Sequence, residues 1–201
     1  MLSSLSNKLE SIYATAKVCR DVDNCLTLDP ELSDLMTSSR NYSDLLWAWK
    51  GWHNAAGRPM RQIYTQTVSL RNKGARDNDF KDLSEEWMED FETTNFESIM
   101  DDLFNEIKPL YQQLHAYTRR KLNEFYKKSF DANKFNPKLI QAHLLGNMWA
   151  QGWENIYDIL KPYPNASEID LNEYLKSQKY SANDFFEVNI SLLFLFSFFL
   201  V

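Results

Sequence analysis

The side chains best suited to metal or proton chemistry in this chain are three histidines, His53, His115 and His143. They are followed by Asn-Ala-Ala-Gly, Ala-Tyr-Thr-Arg and Leu-Leu-Gly-Asn respectively. A zinc hydrolase helix commonly reads H-E-x-x-H, because histidines four apart share one helical face and grip the metal while the Glu between them acts as general base. None of the three opens such a motif, and no second His or Cys stands at ligand spacing. The expectation is no catalytic residue and no metal ligand, with each His on a helix surface or in the core. The carboxylate pairs Glu85-Glu86 and Glu89-Asp90 could do acid–base work. Their density, next to Lys81, instead reads as a solvated helix face. There is no Gly-rich phosphate loop, no G-x-S-x-G elbow and no Cys-x-x-Cys.

The remaining candidates concern compartment rather than catalysis. Cys19 and Cys25, six apart, suit either a small disulfide loop or two unrelated thiols. Asn-x-Ser sequons begin at Asn41, Asn165 and Asn189, and matter only in a secretory compartment. Met1 to Tyr13 carries Lys8 and Glu10 and has no apolar core segment, so no signal peptide is visible there. Either the chain is cytoplasmic or its true beginning lies elsewhere. A net charge of -6 and a pI near 5.1 exclude the clustered basic face of a nucleic-acid binder.

The elements that must position these residues are helical. With 201 residues, 44% hydrophobic and 14% aromatic, the chain has the material for one domain whose core is thick with aromatic contacts. Gly is rare, and apolar residues recur at three and four, which predicts an all-α fold. One stripe joins Leu103, Ile107, Leu110, Leu114, Tyr117, Leu122 and Phe125, with Pro109 as a kink or restart point. A second joins Leu145, Trp149, Trp153, Ile156 and Leu160 and stops at Pro162 and Pro164. A third runs from Leu45 through Trp49, Trp52 and Ala56, and Gly57-Arg58-Pro59 is expected to break it before a helix resumes near Met60. From Ile190 to Val201 the chain is almost continuously Leu and Phe, which reads as a foreign tail. A membrane-spanning helix needs about 20 apolar residues, and extending the run back to Phe185 takes in Glu187 and Asn189, so membrane association stays open.

Four blocks carry a resemblance. They are Leu28-Asp29-Pro30-Glu31-Leu32; Leu45-Leu46-Trp47-Ala48-Trp49-Lys50-Gly51-Trp52-His53; Pro109-Leu110-Tyr111 through Leu114-His115-Ala116-Tyr117 to Arg119-Arg120; and His143-Leu144-Leu145-Gly146-Asn147-Met148-Trp149-Ala150-Gln151 with Trp153, Asn155, Ile156, Tyr157 and Asp158. In type and order they resemble the angiotensin-converting enzyme family of zinc peptidyl-dipeptidases, over about Lys8 to Phe186. The resemblance implies part of an almost wholly helical peptidase domain with a central cleft between two halves, residues 1–186, followed by an unmatched apolar tail, 187–201. It further implies peptide substrates, removal of dipeptides from their C termini, zinc and chloride as the family's cofactors, and a secreted or membrane-anchored extracellular location. The family's zinc helix and later Glu ligand lie downstream of the matched region. The chain is therefore expected to be inactive by itself. The alternative is a short non-catalytic module that binds peptides or associates with a membrane.

Residue by residue, the resemblance implies a disulfide between Cys19 and Cys25. It implies a substrate-pocket role for Asp29, whose other reading is a helix cap before Pro30. Trp49 and His53 fall on one chloride-binding position, where members with two chloride sites carry Arg in place of His53. Trp87 and Phe91 fall on the second, where Phe91 replaces a Tyr and can offer no hydrogen bond. Core packing is the competing explanation for these aromatics.

Overall fold

The structure is a computed structural model, and it describes residues 1–129, 138–165, 171–179 and 184. The chain forms two compact units, Met1–Lys161 and Pro162–Val201. In the first, α1 (Leu2–Thr15) leads into a two-stranded antiparallel hairpin, β1 (Lys17–Cys19) and β2 (Cys25–Thr27), with Val18 opposite Leu26. A π-helical turn, Leu28–Leu32, opens α2 (Ser33–Ser38), and α3 (Tyr42–Trp52) follows. A second π-helical turn, His53–Gly57, joins α3 to α4 (Arg58–Asp77). Next come α5 (Leu83–Glu89) and the long α6 (Phe96–Phe125). The unit ends in 3-10 turns at Ala142–Leu144 and Glu154–Ile156 and in α7 (Tyr157–Leu160). In the second unit, α8 spans Leu171–Ser177.

The all-α expectation holds, with one small hairpin added. The core of the first unit gathers Leu32 and Met36 from the start of the chain, Leu45, Ala48 and Trp52 from α3, Leu122 from α6, and Leu144, Met148 and Ile156 from the turns near its end. Burying these side chains is what holds α2, α3 and the C-terminal end of α6 together. Local signals fix the helix starts. Asn41 caps α3 by accepting from Ser43 N at 2.9 Å and Asp44 N at 3.2 Å, and Asp82 caps α5 through Ser84 N and Glu85 N. Gly51 allows the hairpin to lie against α3, since any Cβ there would collide with Val18.

Three sequence expectations need correction. Gly57-Arg58-Pro59 does not break the third stripe. Gly57 keeps helical angles (φ -68°, ψ -41°), and Pro59 is carried in the first turn of α4, directly after the π-helical turn. Pro109 does not restart the long helix either. The α6 helix runs on through it, on a stretch where every residue from 101 to 114 is exposed and water can serve the carbonyl that loses its partner. The third correction is larger: Leu145 to Leu160 is not one amphipathic helix. Asn147 Oδ1 accepts from Trp149 N at 2.9 Å and Gln151 N at 3.3 Å, and its Nδ2 donates to the Gly152 carbonyl at 3.0 Å. That side chain takes the backbone bonds a helix would need. Gly146 at φ +82° and Ala150 at φ +56° turn the chain the wrong way for a helix, and only 157–160 is α-helical. The stop before Pro162 is as expected. Asn189, the 186/187 boundary and the apolar run from Ile190 lie outside the described residues. Among the described residues no helix is long and apolar enough to cross a membrane.

Candidate functional site

The turn after β2 is built around Thr27 and Glu31. The Glu31 carboxylate accepts from the Thr27 backbone N–H at 3.0 Å and from the Thr27 hydroxyl, and Thr27 Oγ1 also meets the Asp29 carbonyl at 3.0 Å. The Thr27 hydroxyl, followed by the Thr27 amide, holds the Glu31 carboxyl below its ordinary range. The Leu28–Leu32 turn has no side-chain cap, so the capping role that the sequence offered to Asp29 does not form. Asp29 itself is extended (φ -120°, ψ 124°) and exposed, and its carboxylate has no hydrogen bond or ion pair among the described residues.

The hairpin beside this turn is closed by a Cys19–Cys25 disulfide that joins directly paired residues of the two strands. Arg20 ties the hairpin to α3, pairing with Asp44 and lying 4.2 Å over the Trp47 ring. The turn that presents Asp29 is thus braced from both sides.

Trp49 and His53 stand one helical turn apart where α3 passes into its π-helical extension, ring centroids 4.2 Å apart. His53 Nδ1 lies 2.7 Å from the Trp49 carbonyl. A carbonyl only accepts, so Nδ1 carries the proton, and in the neutral ring Nε2 presents a lone pair outward. Such a ring repels an anion, and only its protonated form could donate to one. Trp87, on α5, is 59% exposed and lines a shallow hollow of about 280 Å³ with Tyr64, Thr67 and Arg71 of α4 and Ser6 and Leu9 of α1. Phe91 is not directed at it but stacks on Phe96, ring centroids 4.1 Å apart. Among the described residues no hydrogen bond, ion pair or ring contact joins Asp29, the Trp49–His53 pair and Trp87.

The histidines are spread over three elements: His53 on a π-helical turn, His115 midway along α6, and His143 in a 3-10 turn. His143 is buried, with its ring against the edge of Tyr42 at 4.8 Å and, among the described residues, its Nε2 without a hydrogen bond. Burial pushes its pKa down from 6.5 to about 4. Among the described residues no three His, Cys, Asp or Glu side chains converge where a metal could sit. Glu85 and Glu89, with Asp79, rim an open hollow of about 660 Å³ ahead of α6, and Glu85 also accepts from the Lys81 amide. Asn41 and Asn165 are both exposed.

One residue of consequence had no signal in the sequence. Arg40, between α2 and α3, bonds to both oxygens of Asp158 on α7 and to the carbonyls of Thr37, Ser39 and Asn155. Its partner Asp158 closes the last of the quoted motifs, 118 residues away, and nothing in the sequence joins the two.

Comparison with known proteins puts these features in a lineage. The peptidase family M2 model, described as angiotensin-converting enzyme, matches residues 1–197, beyond the range carried by the motifs themselves. The angiotensin-converting enzyme of Theromyzon tessulatum is 42% identical over 192 residues, 94% of this chain and 31% of that protein. The angiotensin-converting enzyme-like protein Ace3 of Mus musculus is 40% identical over 185 residues, 89% of this chain and 24% of that protein. The angiotensin-converting enzyme of Bos taurus is 44% identical over 170 residues, 85% of this chain and 13% of that protein. The chain spans less than a third of the length of these relatives. With a match over nearly its whole length and identities near 40%, it belongs to the angiotensin-converting enzyme family of peptidases.

Proposed function

We propose that this chain serves the removal of dipeptides from peptide C termini as a peptide-contacting part, and that it does not cleave by itself. Asp29 carries the reading. Its carboxylate is exposed and unengaged among the described residues, on a turn braced by Glu31, Thr27 and the neighbouring disulfide. A carboxylate held ready in this way suits a cationic or N–H-rich group of a peptide, because charge-assisted hydrogen bonds are the strong ones. The absence of H-E-x-x-H from the sequence, and the scatter of its histidines over three elements, support the non-catalytic half.

The test uses the purified chain with one equivalent of zinc, a blocked tripeptide as substrate, and calorimetry of a basic peptide on wild type and Asp29→Asn. The expected outcome is no chelator-sensitive release of dipeptide, and peptide binding weakened roughly tenfold by the substitution, the worth of one charge-assisted hydrogen bond. Stoichiometric zinc with chelator-sensitive cleavage would overturn the non-catalytic half. Binding that ignores Asp29→Asn would overturn the contact.

We infer a secreted or membrane-anchored extracellular location on the same family ground. The Cys19–Cys25 disulfide supports it, since such bonds persist in oxidising compartments. The cap at Asn41 uses Oδ1 and, among the described residues, leaves Nδ2, where an N-glycan attaches, uninvolved. Passage through the secretory route of a eukaryotic cell should therefore leave an N-glycanase-sensitive mass on Asn41. An unmodified Asn41 in secreted chain would count against this placement.

A further inference from the structure

The two strands of the hairpin, Lys17–Cys19 and Cys25–Thr27, are three residues each, and a lone two-stranded hairpin is marginal in water even when it is longer. They are not anchored alike. β1 is fastened to α3: Val18 is 5% exposed and lies against Gly51, and Arg20, the next residue after β1, pairs with Asp44 and covers the Trp47 ring. β2 is half-buried along its length and is paired with β1. The Arg20 amide donates to the Asn24 carbonyl at 3.0 Å, and the Cys19–Cys25 bond closes that end of the ladder. β2 ends on Thr27, the residue that holds Glu31 and the turn bearing Asp29. The disulfide is therefore the covalent tie between an anchored strand and the strand that carries the Asp29 turn.

Cys19 is exposed and Cys25 half-buried, and exposed disulfides are the labile, regulatory kind. An incoming thiolate reaches Cys19 Sγ first. It bonds to that sulfur, breaks the S–S bond and expels Cys25 as a thiolate. Asp21 and Asp23 stand in the bend between the strands, and Cys25 Sγ lies 3.9 Å from the carbonyls of both Asp21 and Val22. Negative charge and carbonyl oxygens favour the protonated sulfur, so the Cys25 thiolate takes up a proton and its S–H has two acceptors in reach. A thiol so held is a poor nucleophile and recloses the bond slowly. The second thiol of a dithiol then attacks its own sulfur in the mixed disulfide, frees Cys19 as a thiol and departs as a disulfide. Two electrons and two protons pass to the chain, and the dithiol is the reductant.

We propose that the Cys19–Cys25 disulfide is a redox-sensitive brace: a dithiol opens it, β2 comes loose from β1, and the turn that presents Asp29 loses its fixed shape. The consequence for peptide binding rests on the role proposed for Asp29, whereas the loosening does not. Amide hydrogen exchange of the full chain, before and after dithiothreitol, tests the loosening. The expected result is free thiols at Cys19 and Cys25 without denaturant, and exchange at the Arg20 and Thr27 amides faster by roughly tenfold or more, as opening a small covalent loop allows. The Leu122 amide should keep its protection. Cys19→Ser with Cys25→Ser should show the same fast exchange with no reductant. A bond that opens only in denaturant, unchanged exchange at Thr27 in the reduced chain, or a rise at Leu122 as large as that at Thr27 overturns the proposal. Calorimetry of a basic peptide keeps the two readings apart: reduction should weaken wild-type binding roughly tenfold and leave Asp29→Asn unchanged. Binding that falls in Asp29→Asn but ignores reduction overturns the brace's hold on the turn. Binding indifferent to both overturns the Asp29 contact alone, and hydrogen exchange still decides the brace.

Discussion

Arg40 directs its whole guanidinium at neighbours: Nε and Nη2 fork onto Asp158, Nη2 also reaches the Asn155 carbonyl, and Nη1 reaches the carbonyls of Thr37 and Ser39. Such a planar fork fixes direction as well as charge. It fastens the α2–α3 connection to the turn before α7 and to α7 itself, stretches that both contribute to the apolar core. Arg40→Ala leaves three carbonyls and a carboxylate without their donor, and should cost about 2 kcal/mol, or about 4–8 °C in Tm for a chain of this size. Arg40→Lys should rescue little of it, because an ammonium cannot satisfy the fork. Thermal melts of the three proteins check this, and an Arg40→Ala melt within about 1 °C of wild type would show that the network contributes nothing. Neither Arg40 nor its role was legible in the sequence, since a partner 118 residues away leaves no local pattern. Cys19 and Cys25 were legible as a pair of alternatives, and their cross-strand pairing resolves them. Asp29 was legible as a position but not as an unengaged carboxylate, because the cap that its place before Pro30 suggests does not form.

At the scale of elements, periodicity read the fold well where side chains alone decide. The stripes through α3 and α6 are real helices, and the Asn41 and Asp82 caps start their helices as such residues should. It failed where the backbone had a competing offer. The stripe from Leu145 to Leu160 has the spacing of a helix, yet Asn147 occupies the backbone groups of Trp149, Gln151 and Gly152, and Gly146 turns at φ +82°. A Cβ on Gly146 would stand 3.0 Å from Asn155 Cβ, so this turn is also packed tightly against the one that follows it. The hairpin was missed for the opposite reason. Strands of three residues, Lys17–Cys19 and Cys25–Thr27, are too short to show an alternation. The period on α6 was read correctly. A stripe predicts that a face is covered, and the part of it at Leu103, Ile107 and Leu110 is covered by nothing in the described chain.

At the scale of the whole molecule, a buried ring and an exposed, ion-paired carboxylate set how stability answers to acid. His143 sits neutral in the core beside Tyr42, with its pKa lowered by burial to about 4 against 6.5 when unfolded. Between those two values the unfolded chain holds a proton that the folded chain refuses, so stability is complete above about pH 6.5 and declines as pH falls toward 4. A gap of that size is worth about 3 kcal/mol. The Asp158 carboxyl behaves with opposite chemistry and the same sign. Its hydrogen bond from Arg40 holds its pKa below the ordinary 3.8, so the stability it lends is present above that value and is lost as pH falls through the lowered one. Two windows therefore follow one another on acidification, and each belongs to a different residue. Urea midpoints measured from pH 8 to 3 should fall first between 6.5 and 4, and again below. His143→Gln should flatten the first decline and leave the second, and Arg40→Ala should do the reverse. A wild-type midpoint that is level between pH 6.5 and 4 would mean that His143 takes up its proton in place, with water reaching a ring that the fold holds dry.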